Sequence, residues 1–171
     1  FKRVLFRSTW HTSPYKDIKQ LIGKEVTVSA TGATGKGATY PLMLNEVIGT
    51  KFKVITGYST EGTTLALERG EVDAICGTGL STLQGSKPDW FERKQINIIA
   101  QSGLIPVPEL KGVTNVLDMA PPDKRPILEY GALLEAMGRP YLAPPGVPAD
   151  RIAILRKGFD DSMKDKEIGR A

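Results

Sequence analysis

Histidine, cysteine and long apolar runs are nearly missing from this 171-residue sequence. His11 is the single histidine, which removes almost all histidine acid–base chemistry and histidine metal sites. Cys76 is the single cysteine, so neither an intrachain disulfide nor a cysteine metal cluster can form. Nowhere do about 18 apolar residues run together, so no membrane-spanning helix is expected. Phe1 to Ser8 lacks an apolar core and a small-residue cleavage site, so no signal peptide is expected there either. A basic face is also wanting. The formal charge is +4, but Lys2, Arg3 and Arg7 stand in an acid-free opening, and removing those three leaves +1. Nucleic acid is therefore not an expected partner. Arg3 to Ser8 also reads as translated sequencing-adapter text, so residues 1–14 are set apart as a doubtful leader.

What is present is an ordinary globular composition, 40% hydrophobic and 25% charged, with room for one domain around a real core. Its organising stretch runs from Glu25 to Ile48. Glu25 to Ala30 is short and β-branched, which predicts a strand. Gly32, Gly35 and Gly37 suit a backbone that turns sharply. Met43 and Leu44 stand one turn before Val47 and Ile48, a helical spacing, and Pro41 is expected in the first turn. A strand, a glycine-rich loop and a helix start together form an anion cradle, because free N–H groups and the helix dipole both favour negative charge. The phosphate motifs fail letter by letter. Gly35-Lys36 is followed by Gly37 rather than serine or threonine, and Tyr40 stands where G-x-G-x-x-G needs its third glycine. A plain flexible connection is the competing reading of the loop.

Along the chain, Tyr15 to Gly23 is expected as a short helix and Lys51 to Ile55 as a strand. Thr60 to Arg69 reads as a helix and Val72 to Cys76 as a strand. Gly77-Thr78-Gly79 reads as a turn, Leu80 to Gln84 as a short helix and Ile96 to Gln101 as a fourth strand. This alternation predicts an α/β fold with a largely parallel sheet. The loops Thr31 to Ala38, Thr56 to Thr60, Gly77 to Ser81 and Ser102 to Leu104 should then crowd one sheet edge, where α/β ligands bind. They carry hydroxyls, glycines and main-chain N–H groups, with no nucleophile–base–acid set. Beyond the prolines 106, 108, 121, 122 and 126, Ile127, Leu128, Leu134 and Met137 predict a helix closed by Gly138 and Pro140. After Pro144 to Pro148, Ile152, Leu155, Phe159 and Met163 recur at helical steps. They form an apolar stripe whose partner surface is expected to be partly missing from this chain.

Several runs carry a resemblance: Thr31 to Gly35, Gly57-Tyr58, Leu65 to Asp73, Pro88-Asp89-Trp90, Gly138-Arg139-Pro140, and Ala143 to Arg151 with Leu155-Arg156 and Phe159. In this order they resemble the Bug-type substrate-binding receptors of tripartite tricarboxylate transporters, over roughly Tyr15 to Ala171. The resemblance implies a type II periplasmic-binding fold in which two α/β lobes close on an organic carboxylate and deliver it to membrane transporter subunits. It implies a periplasmic, non-enzymatic monomer without a cofactor or metal. Residues 15–138 would be the second lobe, and 139–171 a crossover and helix returning to a mostly missing first lobe. On this likeness the ligand would meet Thr31, Thr34, Gly35, Lys36, Gly37, Ala38 and Thr39, and next Thr78 and Gly79. Thr78 reads equally as a turn residue, and Lys36 as a solvated surface lysine. Tyr58 and Trp90 are expected to pack, Asp73 to be structural, and Cys76 to be a small core residue. A periplasmic-binding-type sensor or effector domain, or an α/β enzyme domain, is the alternative.

Overall fold

The computed structural model describes residues 5–105, 107–138 and 141–165. Lys2, Arg3, Pro106, Arg139 and Pro140, used above, lie outside them. The chain divides into two units, Phe1–Gly138 and Arg139–Ala171.

In the first unit the β-branched run becomes β2 (Glu25–Ala30), and the alternating Lys51–Thr56 becomes β3. They pair in parallel along their whole length, from Glu25↔Lys51 to Ala30↔Thr56. On its other side β2 pairs in parallel with β4 (Ala74–Gly79). Asp73, just before β4, fixes that register. Its carboxylate accepts from the Thr27 N–H at 2.8 Å and from the Thr27 hydroxyl at 2.6 Å.

The opening residues hold a strand that composition did not reveal. β1 (Leu5–Trp10) lies antiparallel between β4 and β5 (Ile96–Ser102), giving the order β3-β2-β4-β1-β5. This partner also corrects the expected turn at Gly77 to Gly79. Leu5 and Phe6 pair with Gly79 and Thr78, so β4 continues two residues beyond Gly77. Gly77 is left as the extra residue of a bulge, at φ +77°.

Helices cover both faces. α1 (Lys36–Ile48) and α5 (Arg125–Met137) lie over one, where Val26, Val28, Leu44, Phe52, Ala74 and Leu128 share a core. α2 (Thr60–Glu68), α3 (Leu80–Ser86) and α4 (Pro88–Glu92) lie over the other, around Phe6, Leu67, Ile75, Leu83 and Trp90. Trp90 is fully buried, and its indole N–H donates to Glu68 at 2.8 Å. The expected helix over Tyr15–Gly23 is only a single 3-10 turn, Ile18–Leu21, capped by Asp17. α4 was not anticipated. Pro41 lies inside α1 rather than in its first turn, because the helix already starts at Lys36.

The second unit contains α6 (Ala149–Lys164), which buries none of its side chains. Within that unit Leu155, Phe159 and Met163 stay exposed, and Tyr141 packs its ring 5.2 Å from that of Phe159. No helix among the described residues is long and apolar enough to cross a membrane.

Candidate functional site at the carboxyl edge of the sheet

β2, β3, β4 and β5 run in one direction, so the connections that follow them gather at one edge. Three contacts draw these connections together. The Tyr58 N–H, after β3, donates to Ala30 at the end of β2 at 3.3 Å. Gly77, in β4, presses against the first residue of α1. A Cβ built on it would stand 2.8 Å from the carbonyl carbon and oxygen of Lys36. Leu5 pairs with both Gly79 and Ser102, so the ends of β4 and β5 flank the start of β1.

The glycine loop from Thr31 to Gly35 leads into α1, with Gly35 as an extended N-cap at φ −73°. The chain turns at this loop, as expected, without any left-handed glycine. Gly32, Gly35 and Gly37 all lack a left-handed φ, and space around Gly32 is open. Gly37 is needed for proximity instead. A Cβ there would meet the Ala30 Cβ at 3.3 Å and the Ser29 carbonyl oxygen at 3.4 Å, so the helix start can lie directly on the end of β2.

The loop spends some of its donors internally. The Gly35 N–H donates to Gly32, and the N–H groups of Ala38 and Thr39 both donate to the Gly35 carbonyl at 2.9 Å. The Thr39 hydroxyl donates to the same carbonyl at 3.2 Å. The N–H groups of Thr34, Lys36 and Gly37 have no acceptor among the described residues. They stand at the positive end of α1, the arrangement that takes an anion. The hydroxyls of Thr31 and Thr34 are exposed there. Thr78 and Gly79 are half-buried on the last two positions of β4, and Gly79 is the N-cap of α3.

Lys36 is neither a free charge partner nor simply solvated. Its ammonium forms an ion pair with Glu135 of α5, whose side chain is 6% exposed while that of Lys36 is 55% exposed. One turn along, the Tyr40 hydroxyl donates to the Gly131 carbonyl at 2.7 Å. A Cβ on Gly131 would meet the Tyr40 ring at 3.1 Å and Met43 at 3.2 Å, so this glycine permits the close approach. The pairings Lys36–Glu135 and Tyr40–Gly131 run in opposite sequence directions. α1 and α5 are therefore antiparallel, and the last turn of α5 lies beside the first turn of α1.

Behind this pair lies Arg7, fully buried. Its three guanidinium nitrogens have no hydrogen-bond partner among the described residues, and its Cζ stands 5.5 Å from the centre of the Tyr40 ring. Burial lowers its pKa below arginine's ordinary value, while Cys76 and Tyr40 oppose that shift. Burial, helped by the charge of Glu135, pushes the Tyr40 phenol up to about 12, with Arg7 opposing. Cys76 is likewise pushed up to about 12 by burial, against the pull of Arg7. Sequence reasoning missed Glu135 and Arg7. Glu135 had a signal: with Leu128 and Gly131 or Ala132 it recurs at helical spacing, an acid on the core-facing stripe of α5. No group of three or more histidine, cysteine, aspartate or glutamate residues among the described residues is placed to hold a metal ion.

No family model matches the sequence, and no curated protein matches it significantly. Solved structures do match in fold. The periplasmic binding protein BugD superposes with a TM-score of 0.63 at 14% identity, over 99% of this chain and 54% of its own. The R. palustris protein Rpa4515, solved with adipate, gives 0.62 at 14% identity, over 98% and 54%. A TctC solute binding protein from Polaromonas gives 0.56 at 12% identity, over 78% and 53%. The chain spans about half the length of each of these neighbours. Its fold is that of an α/β lobe of a periplasmic binding protein, the architecture implied by the receptor-like motifs of the sequence.

Proposed function

We propose that this chain is the ligand-binding lobe of an extracytoplasmic, non-enzymatic solute receptor, which captures a small organic carboxylate for a transporter of the tripartite tricarboxylate type. The observation that carries this reading is the set of three main-chain N–H groups, Thr34, Lys36 and Gly37, without acceptors among the described residues at the start of α1. They match the two oxygens and spread negative charge of a carboxylate. Gly35 and Ala38 shape that turn, and the hydroxyls of Thr31, Thr34 and Thr39 and the end of β4 at Thr78 and Gly79 border it. The neighbours' names, a solute binding protein among them, and the adipate on one of them support the same reading. The first unit up to Gly138, with β1 in its sheet as well as residues 15–138, is then the second lobe. The exposed stripe of α6 fits a helix that returns to the first lobe, and the working unit is a periplasmic monomer.

Calorimetry of the full-length protein against a panel of mono-, di- and tricarboxylates tests this. Binding without turnover is expected, and turnover of any panel member would favour an enzyme instead. Gly37→Val should abolish binding while the fold survives, because its side chain would lift α1 from the end of β2. Unchanged affinity would remove the loop from the site.

A further inference from the structure

We propose that Glu135 is a specificity-determining residue: by neutralising Lys36 it tunes the start of α1 to a single carboxylate charge and disfavours a second negative charge placed beside the first. The inference rests on the carboxylate-binding reading above and adds the charge state that the cradle selects.

Helical side chains lean toward the helix N-terminus, so the stem of Lys36 reaches back along the mouth of the loop rather than away from it. A cation at that end opposes the helix dipole and needs a counter-charge to stay. Glu135 supplies it from a buried position, so the pair has a fixed end rather than two mobile ones. The Tyr40–Gly131 bond one turn further along holds α5 at this height. The first turn of α1 carries no acidic residue. Lys36 and Glu135 stand beside the first turn of α1 and cancel each other, with Arg7 over Tyr40 one turn along. A single carboxylate is satisfied by the main chain. A second adjacent carboxylate would need the Lys36 ammonium, which is already taken, and would face the Glu135 carboxylate.

Glu135→Gln releases the lysine and keeps the shape of the side chain. Calorimetric or NMR titration of the full-length protein with acetate and with malonate compares one charge with two adjacent ones. Glu135→Gln should strengthen malonate binding about tenfold and acetate binding less than about threefold at low salt, with the difference shrinking at high salt. The double variant Lys36→Met, Glu135→Gln should lose the gain. An unchanged malonate-to-acetate ratio in Glu135→Gln, or a gain that survives in the double variant, overturns this inference and leaves the carboxylate reading standing. Failure of the wild-type protein and both variants to bind any carboxylate overturns both.

Discussion

Replacing Arg7 with methionine should stabilise the protein, against the usual direction of core substitutions. The guanidinium is fully buried in β1, and none of its three nitrogens finds an acceptor among the described residues. An unsatisfied buried polar group costs about 1–3 kcal/mol, and a buried charge without a partner several kcal/mol. One term opposes this. The Tyr40 ring 5.5 Å away offers a cation–π contact that is worth about 2 kcal/mol when desolvated. Methionine fills the volume of the stem with an unbranched, adaptable chain and leaves no donor unpaired. The balance is a gain of about 2–4 kcal/mol. For a chain of this size each kcal/mol moves Tm by about 2–4 °C, so the expected rise is roughly 5–15 °C. Circular-dichroism melts and urea unfolding of the two proteins measure it, and an unchanged m-value would show that only stability moved. A Tm that falls or stays put would refute the reasoning, since it would mean that the guanidinium meets a counter-charge in solution.

Gly77→Ala should cost about 2–3 kcal/mol in urea unfolding, because the residue sits at φ +77° and the new methyl would strike the main chain of Lys36. Trp90→Phe should cost about 2 kcal/mol at neutral pH by removing the indole donor from Glu68. Burial raises the Glu68 pKa, but the bonds from Lys87 and Trp90 outweigh it and hold the carboxyl below its ordinary 4.5. A depressed carboxyl stabilises the fold above that ordinary value and ceases to do so as the pH falls through its folded pKa. The gap between Trp90→Phe and wild type should therefore narrow in acid to the pH-independent cost of the smaller buried ring, and a gap that does not change as the pH falls would refute this account. Cys76, buried with its thiol pushed up to about 12, should resist iodoacetamide at pH 8 until denaturant is added, as mass spectrometry would show.

The parts of the fold legible in the sequence are those that local chemistry decides. Glu25 to Ala30 is short and β-branched and Lys51 to Ile55 alternates, so β2, β3 and α2 follow with bounds close to those expected, while α1 ends where expected but starts earlier. β1 was illegible because it carries Arg7 in its middle and its run reads as adapter text, and its pairing partners lie about 70 and 90 residues away. Missing β1 in turn misplaced the end of β4, since the extension from Gly77 to Gly79 exists only where β1 pairs with it. The strand, loop and helix start of the candidate loop were legible, but its inner division of hydrogen bonds was not. The bonds from the Gly35, Ala38 and Thr39 N–H groups follow from the turn geometry, which leaves Thr34, Lys36 and Gly37 among the loop donors without an acceptor in the described residues. Glu68 and Trp90, from two separate family-like runs, are joined by a hydrogen bond across the α2–α4 face, a link that neither run could announce alone.

The proposed cradle is part of a loop, yet the position of that loop is set by three neighbours. β2 lies under Gly37, the bulge of β4 presses on Lys36, and α5 holds Lys36 and Tyr40 from the side. Each anchor depends on a small residue or a buried one: Gly37, Gly77, Gly131 and Glu135. A site that must hold main-chain donors at fixed positions without a bound metal gains its precision in this way, from packed elements rather than from the loop itself. The same anchors predict how variation should act. Changes at Gly77 or Gly131 should shift stability and ligand affinity together, because they move α1 as a body. Changes at Thr34 or Thr78 should alter affinity alone, because nothing in the core leans on them. A variant at Gly131 that lost affinity without losing stability would show that α5 does not position the helix start.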